Sequence, residues 1–214
     1  MQYFQFILLG FILTACSSDV LTLFKDSKFD AKDFNGKNII VCPSTGEWFI
    51  VGKDTSFLSI PEATIYTKAF SNKLAELRPC ANVIDQSRLS YNIPDLERQM
   101  NTRKYKFSNI EKEDSLFFDY LRTTFNADYL VFFESVEFFG TRKNYYQVEV
   151  VNKDSKLIMQ LWDLRQCKMV YRAQSSGSGS TILQLLKDES SETALENSFA
   201  EYIETLPKCT QKSD

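Results

Sequence analysis

The most definite chemistry in this chain belongs to a cysteine near its start. Cys16 closes the stretch Leu13-Thr14-Ala15-Cys16, small residues leading into a thiol, and the run from Tyr3 to Ile12 before it is apolar but for Gln5. A run this short cannot cross a hydrocarbon core, which takes about 20 residues. It suits the apolar centre of a secretory signal peptide. The four residues read as a lipobox: residues 1–15 are removed, and Cys16 takes a thioether-linked diacylglycerol and an amide-linked chain. Stable anchoring requires more than one chain. No Lys or Arg precedes the run, so only the terminal amine supplies positive charge. The competing readings are an ordinary signal peptide, or a buried helix, with a free Cys16.

Ser17, not Asp, follows Cys16. Under the sorting rule of enteric bacteria that pair resembles an outer-membrane lipoprotein facing the periplasm. The other cysteines are Cys42, Cys80, Cys167 and Cys209, an even number of the kind an oxidising compartment pairs. They permit three pairings, and the absence of CxxC gives them no zinc-ligand spacing. Cys167 is expected at the start of the last strand and Cys209 just past the last helix, which puts both at one end of the sheet. That makes Cys167 and Cys209 the disulfide candidates, with unpaired buried or loop thiols as the alternative.

Little else in the chain is reactive. Histidine is absent, which excludes Ser–His–Asp and Cys–His catalysis, His-ligated metals and imidazole pH switches. Asp85, Asp128, Glu134, Glu137 and Asp163 fall near expected strand ends. A carboxylate hydrolase needs two of them about 5 to 9 Å apart, and nothing in the spacing pairs them. Gly177-Ser178-Gly179-Ser180-Thr181 lacks the spacing and lysine of a phosphate loop; it reads as a sheet edge running into a flexible link, small enough for a helix to pack closely. No GxSxG, SxxK or HExxH occurs. The expectation is a protein without catalysis, cofactor or metal. Lys+Arg at 25 against Asp+Glu at 28 gives a net charge of −3, no field for gathering nucleic acid.

Contact chemistry is better represented. Glu137-Phe138-Phe139-Gly140-Thr141-Arg142-Lys143-Asn144-Tyr145-Tyr146 joins two expected strands and mixes four aromatics with two adjacent cations. Aromatics and Arg are enriched where proteins dock. Trp48 and Phe49 concentrate apolar surface in an expected loop. Candidate partner-binding residues are therefore Trp48, Phe49, Phe139, Arg142, Lys143 and Tyr145. Packing of the aromatics in the core, with the cations in a solvated turn, is the alternative.

The elements that must position these residues follow from periodicity. With 43% hydrophobic and 25% charged residues in 214, the chain is globular and of single-domain size. Residues 16–36 read as the lipidated N-terminus and a short tether, part of which docks through its aromatics; residues 37–207 are the domain and 208–214 a tail. Asn38–Cys42 reads as a buried strand, and Trp48–Val51 with Phe57–Ile60 as a small hairpin. Tyr66, Phe70, Leu74 and Leu77 give a helix that Pro79 stops. Asn82–Asp85 is the second parallel strand and Ile93–Met100 a short helix. Ser108 and Glu111 form a capping box before a helix striped by Phe117, Tyr120, Leu121 and Phe125. Ala127–Phe133 is apolar on both faces, as a central strand requires. Tyr145–Val151, Lys156–Leu164 and Lys168–Ser176 follow as strands, and Leu195, Phe199, Tyr202 and Leu206 mark a last helix. The fold class is α/β (α+β): one domain, a mixed parallel and antiparallel sheet of five to six strands, and about three flanking helices.

The order of these motifs is recognisable. Leu74-Ala75-Glu76-Leu77, Val83-Ile84-Asp85 with Ser87-Arg88, Phe125-Asn126-Ala127-Asp128-Tyr129-Leu130-Val131, and Trp162-Asp163-Leu164-Arg165 before Lys168-Met169-Val170-Tyr171 resemble the periplasmic domain of two lipoprotein families. These are the curli-secretion (CsgG-like) family and the penicillin-binding-protein activators (LpoB-like); the N-terminal domain of TolB is similar. The resemblance spans about residues 37 to 206. It implies a lipid-anchored, non-catalytic envelope adaptor serving cell-wall synthesis, secretion or motility machinery, with protein partners and no nucleic acid. The alternative it leaves is a homo-oligomer forming rings or arrays at the outer membrane. A secretion pore would need two long amphipathic hairpins per subunit, and the segments between the expected strands are too short for both. A tether of about 20 residues reaches roughly 70 Å at full extension and about 25 Å relaxed. A synthase activator usually has a longer one.

Overall fold

A strand that is apolar on both faces needs a covering layer on each side, and the chain supplies helices for both. The structure, a computed structural model, describes residues 19–29, 34–42, 48–51, 60–84, 112–145, 148–182 and 190–209. In chain order the elements are β1 (Asp19–Lys25), β2 (Asn38–Cys42), β3 (Trp48–Val51), α1 (Ile60–Leu77), β4 (Asn82–Ile84), α2 (Lys112–Phe125), β5 (Tyr129–Tyr145), β6 (Val148–Asp163), β7 (Lys168–Ile182) and α3 (Ser190–Thr205). Seven strands form one mixed sheet in the order β1-β7-β6-β5-β2-β4, with β3 also paired to β5. The fold class is the one expected, a single α+β domain, with three helices among the described residues and a sheet one strand larger.

Alternation divides the side chains between two cores. Ile39, Val41, Tyr129, Val131 and Phe133 pack with Phe70 and Leu74 of α1 and with Leu195, Phe199 and Tyr202 of α3. Ile40, Cys42, Leu130 and Phe132 point the other way, against Phe118 and Leu121 of α2. Phe70 seals the first core, its ring 5.3 Å from Phe133 and 5.2 Å from Phe199, both edge-on. Parallel pairing of β2 with β4 and with β5 follows from the helical crossovers between them.

Four expectations need correction. Residues 16–36 are not wholly a tether, because β1 lies within them, antiparallel to β7 from Asp19 beside Ser176 to Lys25 beside Tyr171. Phe29 and Phe34 then enter the first core. The expected hairpin of Trp48–Val51 with 57–60 gives way to other pairings: β3 pairs parallel with β5 and Ile60 begins α1, while 57–59 lie outside the described residues. The stretch 137–145 is not a connection, since β5 continues through it to Tyr145. Three long strands of 17, 16 and 15 residues replace the expected four. β-Bulges let them run on, one between Phe133 and Ser135 and one between Leu161 and Trp162; a bulge bends and twists a strand without ending its pairing. Residues 1–18, with the expected signal peptide and Cys16, lie outside the described residues, as do the expected 93–100 helix and Ser108 capping box.

The glycine–serine stretch is likewise strand and not link, and one glycine in it is required. A Cβ on Gly177 would stand 2.4 Å from the Ala194 carbonyl oxygen and 2.6 Å from the Ser198 amide nitrogen of α3. Below it, the Ser155 and Ser198 hydroxyls lie 2.6 Å apart, and Ser155 donates to the Ala194 carbonyl at 2.7 Å. Gly177→Ala must push α3 off the sheet and break this buried polar cluster. It should cost about 2–3 kcal/mol, the scale of overpacking strain, read as a lower urea midpoint at unchanged slope.

The turn after β1 is held by a carboxylate. Asp26 accepts from the Lys28 backbone N–H at 2.9 Å and pairs with Lys168 on β7. The Lys168 hydrogen bond, then that of Lys28, hold its carboxyl below the usual carboxylate range. A lowered folded-state pKa contributes stability above the unfolded value, about 3.9, and loses it as the pH falls through the folded value. Asp26→Asn should therefore melt below wild type at neutral pH, and the gap should close in acid. Parallel melts across that range check it.

Candidate functional site

All six candidate contact residues fall on one part of the sheet, the C-terminal half of β5 and the strand β3 beside it. β3 aligns Trp48 with Val136, Phe49 with Glu137 and Val51 with Phe139. Farther along β5, Arg142, Lys143 and Tyr145 pair with Val151, Val150 and Val148 of β6. At about 3.3 Å per residue, Tyr145 lies some 20 Å beyond Phe139 and 27 Å beyond the level of Phe49. The structure thus makes two groups: Trp48, Phe49 and Phe139 together, and Arg142, Lys143 and Tyr145 toward the hairpin end. Phe139 is 37% exposed, among the few large apolar side chains so placed.

Three of the five candidate carboxylates, Asp128, Glu134 and Asp163, have structural partners. Asp128, buried at the start of β5, pairs with Arg165 at 2.6 Å and Lys37 at 3.6 Å and accepts from the Asn38 backbone N–H at 3.1 Å. Glu134, at the first β5 bulge, takes both Nε and Nη2 of Arg172 at 2.7 Å. That hydrogen bond raises the Arg172 pKa. Gln160 donates to the same Glu134 at 2.8 Å and accepts the Trp162 indole N–H at 2.9 Å. Asp163 accepts from the backbone N–H groups of Arg165 and Gln166, closing the β6–β7 turn. Asp85 lies outside the described residues. Among those described, no group of three or more Cys, Asp and Glu could hold a metal ion, and no helix is long and apolar enough to cross a membrane.

The cysteine pairing differs from expectation. Cys209 is in a disulfide, but its partner is Cys80, not Cys167, with 5.5 Å between the two Cα atoms. The expected partner Cys167 and the observed partner Cys80 both stand near sheet ends but on opposite faces: Cys80 packs against the core of α1 and α3, while Cys167 packs against the α2 core. Cys167 and the buried Cys42 are not in a disulfide. Burial, with Asp119 next, pushes the Cys167 thiol up, away from the reactive thiolate.

Sequence reasoning missed a third apolar group. β1 carries Leu21, Leu23 and Phe24, exposed by 56%, 38% and 39%. Among the described strands β1 pairs only with β7, so these side chains line an outer edge of the sheet. The four apolar residues of Asp19–Lys25 (DVLTLFK) were the available signal, obscured by the polar residues around them.

No family model and no curated protein sequence matches the chain. Among solved structures, a PelC dodecamer from Paraburkholderia phytofirmans is similar at 11% identity and TM-score 0.43, over 91% of this chain and 100% of that one. Lipoprotein GNA1162 from Neisseria meningitidis overlaps at 14% identity and TM-score 0.34, covering 71% and 88%. The LpoB C-terminal domain from Salmonella enterica does so at 16% and 0.33, covering 70% and 87%. Overlaps this loose leave the function to the chain's own residues.

Proposed function

We propose that the chain is a lipid-anchored, non-catalytic adaptor of the bacterial cell envelope, held at the outer membrane by acylated Cys16 and facing the periplasm. Its expected partner is a protein complex of cell-wall synthesis, secretion or motility. The observation that carries this reading is the concentration of the contact candidates on one arm: β3 laid along β5 with Phe139 exposed, and Arg142, Lys143 and Tyr145 beyond. Docking surfaces are built this way, from aromatic and Arg anchors with a polar surround. Export is supported by the lipobox and by the Cys80–Cys209 bridge, a bond that persists in oxidising compartments. The carboxylates engaged in ion pairs and turns leave the arm as the more developed feature.

Crosslinking in intact cells, followed by capture from strains carrying alanine at Trp48, Phe49, Phe139, Arg142, Lys143 or Tyr145, tests the proposal. A true anchor should lower recovery of one partner about tenfold, since central interface side chains are worth upward of 1.4 kcal/mol. Undiminished recovery from every variant would remove the site. Turnover of a substrate by the wild type would remove the adaptor reading itself.

A further inference from the structure

We infer that the outer edge of β1 is the seat on which the domain rests against an anionic phospholipid bilayer, with the strands lying along the membrane surface. This rests on acylation of Cys16 and adds the orientation that acylation imposes. β1 begins at Asp19, three residues after Cys16. Three extended residues span at most about 11 Å, so the lipid chains enter the bilayer within that distance of the sheet edge.

The direction of β1 decides what else must be near the membrane. Its N-terminal end is beside Ser176, which pairs with Lys156, which pairs with Glu137. From that level the β5–β6 hairpin continues for eight residues on each strand, to Tyr145 opposite Val148, and β1 leads back in the same direction toward Cys16. Eight residues are about 27 Å. Were the strands upright, the hairpin would pass some 16 Å beyond Cys16, through the middle of the hydrocarbon core. That stretch includes Arg142, Lys143 and Glu149, and open strand edges are not tolerated in hydrocarbon. The upright arrangement is excluded, and the sheet must lie down.

The edge nearest the anchor has the composition for the interface. Leu21, Leu23 and Phe24 are exposed on β1, and Lys25 and Lys28 are exposed immediately after them. Apolar side chains entering the headgroup layer beside cations that meet anionic lipid is the pattern of shallow membrane seating. The unpaired backbone groups of the edge remain hydrated by water and headgroups at that depth. The contact arm then extends parallel to the membrane and clear of it, open to a periplasmic partner.

The test uses the full acylated protein in vesicles of phosphatidylethanolamine and phosphatidylglycerol, with and without brominated acyl chains that quench tryptophan. Leu23→Trp and Tyr145→Trp are each read against wild-type emission. The expected result is loss of most of the added emission at position 23 and no loss at position 145. Quenching at position 145, with or without position 23, overturns the seat, as does an unquenched position 23. Intact mass of the same sample separates the two readings: an acylated chain unquenched at position 23 sinks the seat alone, whereas an unacylated N-terminus sinks the Cys16 reading and the seat with it.

Discussion

Replacing Cys80 and Cys209 together by serine lowers the unfolding free energy by about 3–5 kcal/mol. The bridge joins residues 129 apart, and in the chain-entropy picture closing so long a loop restricts the unfolded chain by close to 5 kcal/mol at 25 °C. A polar contact goes with it, the Cys80 backbone N–H donating to the Cys209 sulfur at 3.1 Å. Substituting both cysteines leaves neither half of the bridge free to mispair. The loss should appear in urea melts as a lower midpoint, and dithiothreitol should reproduce it in the wild type. A change under about 1 kcal/mol would mean that the segment after α3 is held without the bridge.

What else holds it is Arg78, the source of the second large effect. This side chain, only 3% exposed, follows α1 and reaches the C-terminal end of α3. It donates to the carbonyl oxygens of Ile203 at 2.5 Å, Pro207 at 3.0 Å and Leu206 at 3.2 Å, with Glu204 at 3.9 Å. The last carbonyls of a helix have no partners within it, and a guanidinium there meets both the orphan oxygens and the negative end of the helix dipole. Arg78→Ala takes the guanidinium from the Leu206 and Pro207 carbonyls in a site too enclosed for free hydration, while the Ile203 carbonyl keeps the Leu206 backbone N–H, at a cost of about 3–4 kcal/mol. Arg78→Lys recovers only part, since one ammonium cannot span the fan of oxygens. Because Cys80 and Arg78 secure the same junction, their losses should not add. With the bridge already gone, removing Arg78 should cost less than it does alone, which a double-mutant cycle measures.

The legible parts of the fold were those written locally. Tyr66, Phe70 and Leu74 gave the period of α1, and Ala127–Phe133, apolar on both faces, gave the core of β5. The parts that could not be read depend on residues far apart in sequence. β1 owes its existence to β7, some 150 residues later, so Asp19–Lys25 alone looks like a polar leader with scattered leucines. β3 is four residues long and is fixed by β5, not by its neighbour in the chain. The Glu137–Tyr145 stretch resembles a turn because Gly140 and two cations sit in it, yet pairing to β6 carries the strand straight through. Cys80 and Cys167 both sit near sheet ends, and only knowledge of which face each occupies separates them. The candidate contact residues were chosen by type, aromatic and cationic; that they share one arm is a product of the sheet topology.

The central claim is that Cys16 anchors an exported domain, and the direct test is the mass of the N-terminal peptide from native, membrane-derived protein digested without reduction. The expected result is a peptide that begins at Cys16 and carries a diacylglycerol and an amide-linked acyl chain, beside a second peptide in which Cys80 is joined to Cys209. An N-terminal peptide that still includes Met1, or that bears a free Cys16 thiol, together with reduced Cys80, would contradict it.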